Sequence, residues 1–429
     1  MSKIITYSTW EANNIPNGVT FDSNLGVFSG TPHLPAGVYT VPVSVTTNYG
    51  SDNKDVTILV DEAIPAGDVY VISKGLTNDK AAIWSNNAPK DAYGFRKINI
   101  PKAKKLFSNS PSGSNSNSWF AAKTENGDVY VAAIYPTVTT GNYSYFGDVT
   151  LDFTTPAKFP RDNIIQMDGF SILSGSSAVQ LFTYRLADSP NTMHIFQQNL
   201  HNGYDFYTYV DNIRKMYSVA GIRNDNSIFV TDADGAGNSD LSSEPIDSTV
   251  IDLALYYRNA RIEPHLYYLT AEGNLFEFSS YGTIQLGADL GKIKKFWLVP
   301  DRSAPISKGS TQYVSGIFAL TQDNTLFARG GSSYYMLGLP STGDYYYDFC
   351  EVGSFDIKKM EAGTWEAVFL THDGRLFHSG IGPRDTSGNP NPSFGGLKNS
   401  SFTHVFTDYR FSDFTIAGQH LITIRKESD

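Results

Sequence analysis

The chain has 429 residues, 41% hydrophobic and 18% charged, with 26 Tyr and 27 Phe; this excludes a disordered or coiled-coil protein and leaves room for more than one domain. Its 33 Lys and Arg against 43 Asp and Glu give a net charge of -10, which repels phosphate backbones and anionic lipid, so no nucleic-acid partner and no membrane insertion are expected. A single cysteine, Cys350, excludes an intrachain disulfide and a cysteine-based zinc cluster.

From Met1 to Trp10 there is no apolar run of signal-peptide length, and no later stretch has the roughly 18 apolar residues of a membrane helix. The protein is therefore expected to be made in a cytoplasm and to bypass the general secretory route. Residues 1–62 alternate short β-type runs with turn signals at Pro16-Asn17-Gly18, Asp22-Ser23-Asn24, Gly30-Thr31-Pro32 and Asn48-Tyr49-Gly50. Runs such as Val38-Tyr39-Thr40-Val41 and Val43-Ser44-Val45-Thr46 put apolar side chains on one face, as a small sandwich requires. Ile15 to Val19, Gly26 to Pro32, Gly37 to Val41 and Asn48 to Gly50 together resemble the Ig-like modules of bacterial surface and phage proteins. The resemblance implies docking or spacing rather than catalysis. This copy starts late, so its first strand is expected to be short or to come from a neighbouring molecule.

A Pro and a Gly in Asp61 to Gly67 follow a finished strand and precede another, Val69 to Ile72, which places the domain boundary there: 1–62 and 63–429. The second region repeats. Five hairpins share an Asx or Gly turn followed by an apolar-aromatic strand: Glu125 to Tyr130, Asn224 to Phe229, Ala271 to Phe276, Gln322 to Phe327 and His372 to Phe377. Two degenerate copies end at Phe196 and Ile422, and the anchors Tyr130 to Ile422 are spaced about 49 residues apart, one propeller blade. Each hairpin follows a quartet with polar residues between apolar ones: Lys104 to Phe107, Ile164 to Met167, Ile213 to Met216, Val250 to Leu253, Ile293 to Phe296, Ile357 to Met360 and Thr403 to Phe406. Such spacing is awkward for a flat strand and predicts entry through a bulge.

A lone four-stranded blade cannot bury its two apolar faces, whereas seven stacked radially can. The fold class is all-β: a small Ig-like β-sandwich followed by a seven-bladed β-propeller closed by N- and C-terminal strands. Residues after 403 are too few for a whole blade, so Val69 to Ile72 and Ala82-Ile83-Trp84 are expected to complete the last one. Met360 to Gly380, and Phe318 to Gly330 with Met336-Leu337-Gly338, are similar to the repeat of the regulator-of-chromosome-condensation family of seven-bladed propellers. The founding member's nucleotide exchange on a small GTPase has no residues here to which it transfers.

Asp232 to Asp240 holds carboxylates among glycines but has Ser243 at the twelfth position, where a calcium loop needs an acid, so it reads as a solvated loop. His194 and His201 are seven apart in unpatterned sequence, and no metal or other cofactor is expected. No nucleophile elbow, phosphate-binding loop or dinucleotide fingerprint occurs, so no catalytic residue is assigned. The segments Ser108 to Ser118 and Gly382 to Asn399 read as long loops. Tyrosines cluster near loops at Tyr143 and Tyr145, Tyr204, Tyr207 and Tyr209, Tyr256 and Tyr257, Tyr334 and Tyr335, and Tyr345-Tyr346-Tyr347. Tyr couples apolar area to a hydroxyl at small entropy loss, which suits recognition surfaces. Candidate binding residues are Tyr143, Tyr145, Tyr334, Tyr335, Tyr345, Tyr346 and Tyr347; in the last run, at least one side chain must leave the core because neighbours in a strand face opposite ways.

These features are expected of a non-enzymatic bacteriophage virion protein, made in the host cytoplasm, tail-associated or decorating the capsid. Residues 1–62 would contact other virion proteins, and the propeller a host-surface glycan or protein. A bacterial surface adhesin and a polysaccharide-acting enzyme on the propeller face are the alternatives.

Overall fold

The computed structural model describes residues 8–17, 19–23, 27–30, 37–60, 66–73, 91–108, 119–133, 144–146, 149–150, 156–159, 161–174, 177–199, 205–217, 220–231, 238–240, 249–257, 264–279, 282–299, 316–331, 336–340, 345–363, 366–380, 399–417 and 420–426. Among them every regular element is a β-strand. The chain divides into two compact units, Met1–Pro65 and Ala66–Asp429.

In the first unit, Ser8–Ala12 pairs with Gly37–Thr47, which pairs with Gly50–Val60; a second sheet joins Val19–Asp22 to Val27–Gly30. The edge strand, whose source the sequence left open, thus comes from this chain's own residues 8–12. Val41 and Val43 are buried while Thr40 and Pro42 beside and between them are exposed, the alternation of a one-sided sheet. Phe21 and Phe28 meet across the second sheet with ring centroids 4.7 Å apart.

Among the described residues the second unit contains seven four-stranded antiparallel sheets. Their inner strands, blades one to seven, are Ala103–Ser108, Ile164–Ser174, Ile213–Tyr217, Val250–Tyr257, Ile293–Val299, Ile357–Ala362 and Phe411–Ala417. Inner strands touch one another around a ring, the seventh returning to the first; between blades two and three, Gln166 Nε2 donates to Met216 O at 2.8 Å. Among the described residues six apolar clusters fill the spaces between neighbouring blades, each drawing on more than one sheet. Both faces of each blade are therefore buried by stacking, as the repeat requires.

Five hairpins are built from one local device. Gly127, Asn226, Gly273, Asn324 and Gly374 occupy the same turn position, and all have positive φ, from 69° to 90°. The N–H of each closes a turn on the carbonyl three residues earlier, as Gly374 does on Thr371 at 3.0 Å. The left-handed residue then realigns the strands, which is why Gly or Asn recurs there. At Gly374 space matters as well: a Cβ would sit 2.9 Å from Phe411 O, and Gly374 O accepts the Phe411 N–H at 2.9 Å, where the next blade begins.

Blade seven corrects two expectations. Its strand order is Phe411–Ala417, His420–Arg425, Val69–Ser73, Arg96–Lys97, so Ile422 lies in a second strand and the third is supplied from the start of the unit. Thr403 to Phe406 does not open it: Asn399–Val405 is the outer strand of blade six, and the quartet that enters blade seven is Phe411-Ser412-Asp413-Phe414. Phe411-Ser412-Asp413-Phe414 keeps two polar residues between apolar ones, whereas Thr403-His404-Val405-Phe406 has a polar first and an apolar third residue. The fourth described strand is Arg96–Lys97; Ala82-Ile83-Trp84, expected to help complete this blade, lies outside the described residues. Gly67 joins the ends further, exchanging two 2.9 Å backbone bonds with Ala103 while leaving no room for a Cβ, which would fall 2.1 Å from Arg425 O.

Candidate functional site

All seven inner strands shift register at the same place: Ala103/Lys105, Ile164/Gln166, Ile213/Lys215, Val250/Asp252, Ile293/Lys295, Ile357/Lys359 and Phe411/Asp413. One extra residue in a strand turns residues three apart onto one face. Ile213 and Met216 accordingly enter one cluster, as do Ile357 and Met360, and Phe411 and Phe414. In the first blade the frame is Ala103 to Leu106, one residue earlier than the sequence pattern suggested.

The residue just before the second apolar position is left at the inner edge of the sheet. In blade order these are Lys105, Gln166, Lys215, Asp252, Lys295, Lys359 and Asp413. The first six line an axial cavity of about 380 Å³, closed around by apolar neighbours such as Met167, Met216 and Phe296.

Most ring residues clasp the next blade. Lys215 Nζ donates to Ile251 O at 2.9 Å and lies 2.7 Å from Asp252 Oδ1. Lys359 Nζ donates to Phe414 O at 2.6 Å and pairs with Asp413 Oδ1 at 3.0 Å and Glu361 Oε1 at 3.1 Å. Asp413 in turn accepts the Leu106 N–H at 2.7 Å. Burial alone would lower the Lys359 pKa, but Asp413 and Glu361 outweigh it and hold the ammonium above the usual lysine value.

Lys105 and Lys295 differ. Neither Nζ has a hydrogen-bond or ion-pair partner among the described residues; each lies over its own strand's aromatic ring, Phe107 at 5.2 Å and Trp297 at 5.7 Å. Their side chains are open to solvent along the channel yet confined by the surrounding sheets. That confinement lowers both pKa values: for Lys105 desolvation is reinforced by Lys359 and opposed by Asp413, and for Lys295 desolvation is opposed by Asp252 and reinforced by Lys215 and Lys359.

The ring escapes sequence reasoning although its signal is present. Each quartet announces a bulge, but nothing within one quartet shows that its second polar residue meets those of the other blades on an axis.

Of the tyrosine candidates, Tyr347 is 64% exposed on the outer strand of blade five, Tyr345–Ser354, while Tyr346 packs against the cluster between blades five and six and donates to Pro340 O. Opposite-facing neighbours thus appear as strand geometry demands. Tyr345 and Tyr145 lie in strands but their own side chains are outside the described set, and Tyr143, Tyr334 and Tyr335 lie outside the described residues, as do His201, Tyr204 and Asp232 to Gly237. Tyr207 and Tyr209, on the outer strand of blade two, are 47% and 59% exposed; Tyr207 Oη is 2.7 Å from His194 Nδ1.

Residues 2–61 match the family described as "Putative Ig domain" (He_PIG). No curated protein matches the chain by sequence. Among solved structures the chain is similar to yeast RCC1 (Prp20), seen bound to Kap60, with a TM-score of 0.53 and 13% identity over 86% of this chain and 90% of that one. It is likewise similar to human WBSCR16, with a TM-score of 0.52 and 13% identity over 84% of this chain and 99% of that one. The protein thus consists of an Ig-like module followed by an RCC1-like seven-bladed propeller.

Proposed function

We propose that this chain is a non-enzymatic structural protein of a bacteriophage virion, docked on the particle through its Ig-like unit and displaying the propeller to a host-surface glycan or protein, or to neighbouring virion proteins. The observation that carries this reading is the union, in one chain, of an Ig-like module with a propeller whose outer strands expose Tyr347, Tyr209 and Tyr207. Amphipathic aromatic side chains on a rigid sheet supply contact area with little entropy loss on binding. Clasping of the axial ring into neighbouring blades fits a scaffold for display, since most of its polar groups are spent on holding blades together.

The test is immunoelectron microscopy of purified phage particles with an antibody against residues 66–429. Label at the tail or on the capsid is expected, and absence from every virion sinks the proposal. Label on the bacterial envelope instead supports an adhesin, and release of reducing sugar from host polysaccharide by the purified protein supports an enzyme.

A further inference from the structure

Four of the seven ring residues are lysines, yet they fall into two classes. Lys215 and Lys359 are each satisfied by a backbone carbonyl of the next blade and by carboxylates, Asp252 for one and Asp413 with Glu361 for the other. Lys105 and Lys295, on blades one and five, have no such acceptor among the described residues, although they project into the same 380 Å³ cavity. The carboxylates that line the cavity elsewhere are committed: Asp252 to Lys215, Glu361 to Lys359, and Asp168 to the backbone N–H of Gly169. Each of these ammonium groups carries three donors and stands open to whatever enters the channel, with no protein acceptor among the described residues to compete for it. Lys105 and Lys295 line the same cavity as Lys215 and Lys359; Asp413 faces Lys105 and Asp252 faces Lys295 electrostatically, but each of these carboxylates is already bonded to a clasped lysine.

We propose that the axial channel is a binding site for a small multivalent oxyanion of the phosphate or sulfate type, held between Lys105 and Lys295 with Lys215 and Lys359 fixed alongside. A multivalent oxyanion in the cavity brings several acceptors to amines that the protein leaves without one; the two clasped lysines contribute field without leaving their blades. The proposal concerns the propeller axis and stands whether or not the chain is displayed on a virion.

The test is calorimetric titration of the full-length protein with inorganic phosphate and with sulfate, chloride serving as the monovalent comparison. Saturable binding of the divalent ions to one site is expected, reduced at least tenfold, or about 1.4 kcal/mol, in Lys105→Met/Lys295→Met and unchanged in Lys54→Met on the Ig-like unit. Absence of saturable binding, or binding equally strong in the double variant, overturns it. Should the double variant fail to fold, the wild-type protein answers instead: phosphate must slow modification of Lys105 and Lys295 by an amine-reactive reagent, read by peptide mass spectrometry, more than that of Lys54. Equal protection of all three overturns the site.

Discussion

Asp413 in the last inner strand accepts the backbone N–H of Leu106 in the first at 2.7 Å, across 307 positions of sequence, while its other carboxylate oxygen holds Lys359 at 3.0 Å. One buried side chain therefore links blades six, seven and one. Replacing Asp413 by Ala leaves the Leu106 N–H and part of the Lys359 charge without a partner inside the protein, and truncating one member of a buried pair typically destabilises by about 3 kcal/mol. Denaturant unfolding of the propeller is expected to show a loss of this size, with Asp413→Asn, which keeps an acceptor but not the charge, in between. No change in either variant would remove the clasp from the account of ring closure.

Arg425 closes the ring from the outside. Its guanidinium stacks between Tyr70 and Tyr409, 3.9 Å from each ring centroid, and pairs with Asp91, which also accepts the Tyr93 and Phe95 N–H groups at 3.0 and 2.9 Å. Tyr70 comes from the start of the unit and Arg425 from its end. Arg425→Ala is expected to destabilise by about 2 kcal/mol, and Arg425→Lys by about 1 kcal/mol, because an ammonium keeps the charge but lacks the planar stack. Limited proteolysis should cut near residues 66–97 faster in both variants; unchanged cleavage would show that closure does not depend on this residue.

Gly374 combines a φ of 86° with a neighbouring Phe411 O that leaves no room for a side chain. Gly374→Val is expected to lower stability by about 2 kcal/mol or more. At Gly127, where φ is 90° but nothing lies within 4 Å of the place a Cβ would take, Gly127→Asn should be nearly neutral, since Asn tolerates the left-handed region. Comparing thermal unfolding of Gly374→Asn with that of Gly127→Asn, the same residue at two similar φ values, separates crowding from backbone conformation.

Confinement of Lys105 and Lys295 makes a pH prediction whose sign is opposite to that of a salt-bridged lysine. With folded pKa values lowered, the unfolded chain binds more protons, so each group opposes folding at neutral pH and opposes it less as pH rises through the folded value toward the unfolded one. Lys105→Met should therefore be more stable than wild type at pH 7 in low-phosphate buffer, with the difference shrinking as the solution becomes alkaline. A difference that is constant with pH would contradict the lowered pKa.

The turn chemistry was legible in the chain because it is local: Gly127, Asn226, Gly273, Asn324 and Gly374 announce left-handed turns whatever surrounds them, and five such turns at blade spacing already imply a propeller. The bulges were legible too, since an apolar residue on each side of two polar ones cannot lie in a regular half-buried strand. The quartet that opens the last blade, Phe411 to Phe414, carries this signal, which Thr403-His404-Val405-Phe406 lacks, and pairing across the sheet places Thr403 in the outer strand of blade six instead. The ring from Lys105 to Asp413 was not legible: its members are scattered over seven strands, and the cavity that six of them line exists only once those strands close on an axis. Local sterics determine turns and bulges from neighbouring residues alone, whereas the electrostatics of the axis depend on which distant charges the closed ring sets side by side.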